Sequence, residues 1–215
     1  MNTEVTIHPK LQHYGLTTGD LDAMTDWYGK VLGMTVNRRS TVAAEARNRA
    51  PFAAFAFVSN DEMDHRIVFF ETPGVGADPD KRHTGMQHVA FEYAALDDLF
   101  GTYVRLKGLG INPTFAADHG LGMSFYYADP DGNVVELNAC NYASPWTATE
   151  HLRTAPPTRA HVDPEKMLAA RLAGATPWEI HQRAVAGEFV PEKPFDPRTT
   201  ASRERRPAIT SRTMR

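Results

Sequence analysis

An internal repeat at an offset of 75 residues limits this 215-residue chain more than any other feature. Gln12-His13-Tyr14-Gly15-Leu16 opens one copy and Gln87-His88-Val89-Ala90-Phe91 opens the other. Leu21-Asp22 then recurs as Leu96-Asp97, Met24 as Leu99 and Tyr28 as Tyr103. Each opening is a short apolar strand pattern, followed by apolar residues at helical spacing that stop at glycine. The stops are Val31-Leu32-Gly33 in the first copy and Leu106-Lys107-Gly108-Leu109-Gly110 in the second.

Three strand-like runs follow in each copy, at about 34–40, 53–59 and 65–73, then at about 111–118, 122–130 and 133–140. Asp129-Pro130-Asp131-Gly132 joins the last two, a strong turn signal because proline fixes φ and glycine accepts φ > 0. An α+β fold is therefore expected: two tandem β-α-β-β-β modules, residues 1–74 and 85–143, joined by Gly74–Thr84. Each module has one apolar sheet face to bury, so the two are expected to form one curved sheet or cup.

Residues 144–215 change character and read as a helical appendage with a basic tail. Asp163-Pro164-Glu165 opens a helix through about Leu172, with proline at a favoured first-turn position. Thr176-Pro177-Trp178-Glu179 has the spacing of a capping box. Trp146, Trp178 and Phe189 are expected to anchor the appendage against the sheet or a neighbouring subunit. Arg198–Arg215 holds six arginines and one glutamate, which leaves about −8 of the net −3 on the preceding residues. A basic tail on an acidic body points to a homo-oligomer, a dimer or higher, in which the arginines reach a partner surface.

Composition removes several function classes. A net charge of −3 argues against a general nucleic-acid binder. No apolar run reaches the roughly 18 residues that a membrane span needs. The first residues are polar and lack a signal core, and the lone Cys140 excludes an intrachain disulfide framework. A cytoplasmic protein without membrane partners is the expectation.

His13 and His88 are the informative pair among nine histidines, because they stand at equivalent positions of the two repeats. If a pseudo-twofold axis relates the repeats, equivalent residues near it face each other across the cup. Glu136 lies mid-strand in Asn133-Val134-Val135-Glu136-Leu137, where an unpaired carboxylate needs a cation or a donor. Two imidazoles and one carboxylate form the facial set that leaves coordination positions open on Fe(II).

Two β-α-β-β-β repeats, an opening histidine in each, and a closing Asp-Pro-Asp-Gly-Asn-x-x-Glu resemble the vicinal oxygen chelate superfamily over about residues 8–142. That superfamily includes glyoxalase I, fosfomycin-resistance thiol transferases, methylmalonyl-CoA epimerase and type I extradiol dioxygenases. The resemblance implies a cup around a metal held by His13, His88 and Glu136. Two details choose among its members. Glyoxalase I and the epimerase resemble a version with a further glutamate on the last strand of the first repeat. Aligning His65–Glu71 with Asn133–Glu136 puts Phe69 there, whereas a two-residue slip would bring in Glu71. Second, Ser124-Phe125-Tyr126 is similar to the extradiol motif whose tyrosine bonds a substrate hydroxyl, with Tyr127 expected to face outward.

The resemblance also singles out His83 and His119 as proton carriers, since a neutral imidazole can take or return a proton near neutral pH. It implies an Fe(II)-dependent extradiol dioxygenase of aromatic compound catabolism, which takes a catechol-like diol and dioxygen to a ring-opened muconic semialdehyde-type product. Phe55, Phe57, Phe69 and Phe91 are candidates for the pocket lining. The alternatives are another metalloenzyme of the superfamily (a glyoxalase-type lyase, epimerase or thiol transferase) and a drug-binding resistance protein. The last generally lacks the ligand set.

Overall fold

In a computed structural model of the chain, the described residues are 9–47, 50–76, 86–156 and 158–193. The chain divides into two compact units, the first running to Gly76 and including Asp129–Asp131, the second holding the rest.

The first unit follows the predicted order: β1 (Tyr14–Thr18), α1 (Leu21–Leu32), β2 (Thr35–Thr41), β3 (Ala54–Ser59) and β4 (Ile67–Glu71). Its sheet order is β1-β4-β3-β2, with β1 and β4 parallel and the other pairs antiparallel. Asp20 caps α1 by accepting from Ala23 N at 2.9 Å, and Gly33 ends it in the left-handed region at φ 66°, which glycine adopts without a Cβ penalty. Leu21, Met24, Tyr28 and Val31 form the buried stripe of α1. It covers the sheet face of Ala54, Ala56, Ile67 and Phe69, with the Tyr28 and Phe69 rings 5.0 Å apart. Each such side chain contributes about 1.5–3 kcal/mol through burial. Because side chains alternate along a strand, Phe55, Phe57, Val68 and Phe70 point to the opposite face. Phe69 is therefore core, not pocket lining.

The second unit repeats the order with β5 (Val89–Tyr93), α2 (Leu96–Gly108), β6 (Phe115–Asp118), β7 (Gly122–Ala128) and β8 (Val134–Cys140). Leu96, Leu99, Phe100, Tyr103 and Leu106 of α2 are buried, and Phe100 and Tyr103 meet Phe125 with centroids 6.2 and 5.7 Å away. Tyr127 shares the strand face of Phe125 and is 1% exposed, so it is buried on the helix side instead of facing outward.

The appendage adds what the sequence pattern did not announce. A ten-residue helix, α3 (Pro145–Thr154), follows the second module, and a two-residue strand, β9 (Ala160–His161), pairs with β6. The sheet order becomes β5-β8-β7-β6-β9. The two expected helices are α4 (Pro164–Leu172), capped by Asp163, and α5 (Pro177–Val185). At α5 both halves of the Thr176–Glu179 capping box form. Arg171 grips Asp97 of α2 through Nε and Nη2 at 2.7 and 2.8 Å. Phe189 is buried as an anchor, but Trp146 is 82% exposed and anchors nothing within the unit. Residues 194–215, with the arginine-rich tail, lie outside the described residues.

Candidate metal centre and substrate pocket

Glu136 sits at the centre of the second sheet, with Ala90 of β5 beside it on one side and Tyr126 of β7 on the other. Register alone therefore puts the Glu136 and Tyr126 side chains on one face, away from α2. Ser124, two residues before Tyr126, shares that face and donates its Oγ hydrogen to Glu136 Oε1 at 2.6 Å. The second carboxylate oxygen, Oε2, lies 3.0 Å from His88 Nε2. Among the described residues, His88 is the ion-pair partner of Glu136, and no lysine or arginine joins it.

The tautomer of His88 gives this pair its meaning. His88 Nδ1 contacts Gln87 Oε1, an acceptor with the amide oriented this way, and that orientation assigns the ring proton to Nδ1. Nε2 then turns a lone pair toward Glu136 Oε2. Two acceptors at hydrogen-bond distance are stable only with a proton or a cation between them. A divalent metal fits this donor set: a neutral imidazole nitrogen and a carboxylate oxygen, each oriented by a hydrogen bond on its other end.

His13 stands just before β1 in the first unit and repeats the local arrangement, its Nδ1 against Gln12 Oε1. Its ring packs on His65 with centroids 4.3 Å apart, and His65 stacks on Phe57 at 4.3 Å. Within either unit alone, no group of three His, Cys, Asp or Glu side chains among the described residues could hold a metal. The orienting roles of Gln12, Gln87 and Ser124 escaped the sequence reading. The signal was present, since glutamine precedes the histidine in both repeats.

The Phe69 alignment needs correction. Gly15 pairs with Val68 in the first sheet as Ala90 pairs with Glu136 in the second, so Val68 holds the equivalent position. The two-residue slip is also ruled out, because Glu71 belongs to the helix-covered face. There it accepts from Leu21 N at 3.3 Å, at the start of α1.

His119 and Tyr126 complete the polar end of the pocket. A tight turn, with His119 N donating to Gly122 O at 2.9 Å, returns the imidazole over β7. Its Nε2 and the Tyr126 hydroxyl share a hydrogen bond at 2.9 Å. Phe115 stacks on Tyr126 at 4.5 Å and 12°, which fixes the phenol ring. Burial, reinforced by the charge of Glu136, pushes the Tyr126 hydroxyl up to about 12. Burial also holds His119 below the usual histidine range, against the opposing pull of Glu136. A protonated phenol thus faces a neutral imidazole. His83 lies outside the described residues.

These groups line a pocket of about 860 Å³ in the second unit, bounded by His88, His119, Ser124, Tyr126, Glu136 and Asn138 at its polar end. None of the phenylalanines expected there contributes. No helix among the described residues is long and apolar enough to cross a membrane.

Residues 10–137 match the model of the Glyoxalase/Bleomycin resistance protein/Dioxygenase superfamily. Biphenyl-2,3-diol 1,2-dioxygenase 3 of Rhodococcus globerulus is 35% identical over 187 residues, which is 85% of this chain and 92% of that protein. Biphenyl-2,3-diol 1,2-dioxygenase 2 of the same organism is 32% identical over 194 residues, 88% of this chain and 96% of that one. Among solved structures, a glyoxylase/bleomycin resistance protein/dioxygenase domain from Frankia sp. EAN1pec covers 64% of this chain and 96% of its own. At 22% identity and a TM-score of 0.52, it attests the fold. With the family model matching more than half its length, this chain belongs to the glyoxalase, bleomycin resistance protein and dioxygenase superfamily.

Proposed function

We propose that the protein is an Fe(II)-dependent extradiol dioxygenase that cleaves a vicinal aromatic diol with dioxygen, its metal held by His13, His88 and Glu136. The observation that carries this reading is the pocket wall where the His88–Glu136 acceptor pair, the Ser124 donor and the His119–Tyr126 pair converge. The activity named for the two Rhodococcus globerulus relatives supports it. His13 enters the ligand set through its repeat equivalence to His88 and its matching glutamine contact.

Bound Fe(II) supplies a Lewis acid for the diol oxygens and a redox centre for dioxygen. The rest is the work of the protein. Ser124 and Gln87 fix the directions of the Glu136 and His88 lone pairs. Tyr126, kept protonated by burial, donates its hydroxyl hydrogen to a diol oxygen. His119, kept neutral, accepts the proton that the diol loses on binding and returns it when the ring opens. His83 remains a second candidate for that acid. The same wall needs one face open to admit a planar ring, and Asn138, opposite Ser124, supplies a further polar group there.

The test is anaerobic loading with Fe(II), addition of biphenyl-2,3-diol, and admission of air. A yellow ring-opened product containing both atoms of dioxygen is expected, lost on chelation and restored by Fe(II) but not by Zn(II). Absence of product from a fully loaded protein would refute the reading.

A further inference from the structure

Three elements of the appendage converge on residues 117–120, the short stretch that carries His119. Strand β9 pairs with the end of β6, Ala160 opposite Asp118 and His161 opposite Ala117, and Val162 N donates to Ala116 O at 3.1 Å. Helix α5 reaches the same stretch through a side chain. Ile180 and Ala184 are its apolar stripe, and His181 is buried beside them. His181 Nδ1 donates to Asp118 Oδ2 at 2.7 Å. Helix α3 completes the approach. Its His151, held through Nδ1 by the Tyr142 hydroxyl at 2.7 Å, brings Nε2 to within 2.9 Å of where a Cβ on Gly120 would stand. At φ 82°, Gly120 serves both that approach and the turn.

Asp118 is the centre of this arrangement. It is fully buried, and a buried carboxyl group needs donors on its oxygens. Oδ1 accepts from Gly120 N at 2.7 Å, which folds the backbone around His119. Asn141 Nδ2 bonds both oxygens, at 3.2 and 3.3 Å, and also donates to Gly120 O at 3.0 Å. Those partners belong to the module itself. His181 is the donor that comes from elsewhere, 63 residues along the chain. An apolar pair of similar volume generally holds two elements together as well as a buried polar pair does. What the Asp118–His181 bond adds is direction, next to an imidazole whose Nε2 meets the Tyr126 hydroxyl at 2.9 Å. A group that moves a proton must be held within about 0.5 Å of its working position. A turn at the end of a hairpin is among the more mobile parts of a fold unless its residues are braced.

Resting on the reading of His119 as a proton carrier, we propose that His181 is a positioning residue: through Asp118 it fixes the turn that presents the His119 imidazole to Tyr126. The appendage thereby completes a site whose reacting side chains lie in the modules.

Steady-state rates of the full-length, Fe(II)-loaded protein with biphenyl-2,3-diol in air give the first measurement. His181→Phe should lower kcat at least about tenfold, because a displacement of about 1 Å at a reacting group can cost about 100-fold. KM and iron content should stay within about twofold, and His181→Asn, whose amide can donate from the place of Nδ1, should recover most of the rate. In a His119→Gln background the same His181→Phe change should cost less than about twofold, because the two residues act through one group. If His181→Phe fails to fold, as judged by circular dichroism, His181→Ala carries the measurement. Full turnover by the folded variant, or an equal loss with and without His119, would overturn the proposal.

The second measurement does not need turnover. In the full-length protein loaded with diamagnetic Zn(II) and labelled with 15N-histidine, His119 should show one ring tautomer in wild type and averaged tautomers in His181→Phe, since the bond made by one ring nitrogen sets where the proton sits. A His119 signal that does not move would overturn the positioning whatever the rates. A wild type that binds Fe(II) but opens no ring would sink the ring-cleaving reading, and the His119 signal would then decide the positioning alone.

Discussion

The two repeats use one backbone plan for different purposes. In the first sheet Phe57 pairs with Val68 and Phe55 with Phe70. At the corresponding positions of the second sheet stand Tyr126 with Glu136 and Ser124 with Asn138. Every polar group on the working face of β7 and β8 thus has an apolar counterpart in the first unit, while the Gln-His pair that precedes the first strand is kept in both. Strand order, helix position and register are set by apolar periodicity on the helix-covered face, which both copies preserve. The uncovered face is free to diverge, and one copy has become a polar pocket wall.

The sharpest way to break this contrast is to exchange its central residue. Glu136→Gln should lower turnover by at least ~1,000-fold, about 4 kcal/mol, and abolish tight iron binding measured by metal analysis after gel filtration. Val68→Glu should create no metal site. It places a carboxylate between β1 and β3 with no Ser124-like donor, and should cost about 3 kcal/mol or more of stability in urea denaturation. A Glu136→Gln protein that retains iron and activity would refute the ligand assignment.

Next in size are the groups proposed to handle the proton. Tyr126→Phe, which mimics Phe57, should keep iron and lose about 10- to 100-fold in turnover, the value of one hydrogen bond to a charged oxygen. His119→Gln should lose a similar factor and also change the pH profile. Burial holds the wild-type imidazole below the usual histidine range, so it stays neutral and able to accept a proton to a lower pH than an ordinary histidine. Activity should decline as pH drops through that depressed value, and this acid limb should vanish in His119→Gln. An unmoved limb would assign it to another group.

Ser124→Ala tests the support of the carboxylate. Loss of the 2.6 Å donor should weaken iron binding by about tenfold, the low end expected for a residue that orients a ligand. Phe55→Leu, at the matching position of the first unit, should leave iron binding unchanged. Competition with a chelator reads both values, and equal effects would show that the two faces do not differ as described.

What was legible in the sequence follows the same division. The modules, their helices and strands could be read because buried residues recur with a period, and Asp163-Pro164 and Thr176–Glu179 announce their helices through capping chemistry. Glu136 stood out because a carboxylate mid-strand breaks that period, whereas Tyr126 and His119 were singled out through the resemblance of Ser124-Phe125-Tyr126 to the extradiol motif. Helix α3 was not, because a helix without a buried stripe leaves no periodic trace. Strand β9 is too short to show alternation. The position of Val68 was missed by one residue, since Ile67, Val68, Phe69 and Phe70 are all apolar and only pairing with Gly15 tells their faces apart. Gln12, Gln87 and Ser124 act through hydrogen bonds whose partners are defined only once the chain is folded.

The smallest effect concerns the part that only the second unit carries. In α5, Thr176 Oγ1 accepts from Glu179 N at 3.2 Å, and the Glu179 carboxylate accepts from Thr176 N at 2.7 Å. Thr176→Ala removes the first bond and should cost about 1 kcal/mol, which for a chain of this size lowers the melting temperature by roughly 2–4 °C. The helix also reaches toward the turn that carries His119, because His181 Nδ1 bonds Asp118 Oδ2 at 2.7 Å and Asp118 Oδ1 accepts from Gly120 N at the same distance. Asn141 Nδ2 also donates to Asp118, at 3.2 Å. Asp118 therefore keeps its hold on the turn when α5 is only frayed at its start, and turnover should stay within twofold of wild type. Calorimetric melting together with steady-state rates tests this pair of expectations. If Thr176→Ala lowers turnover along with stability, the start of α5 governs the position of His119 as well.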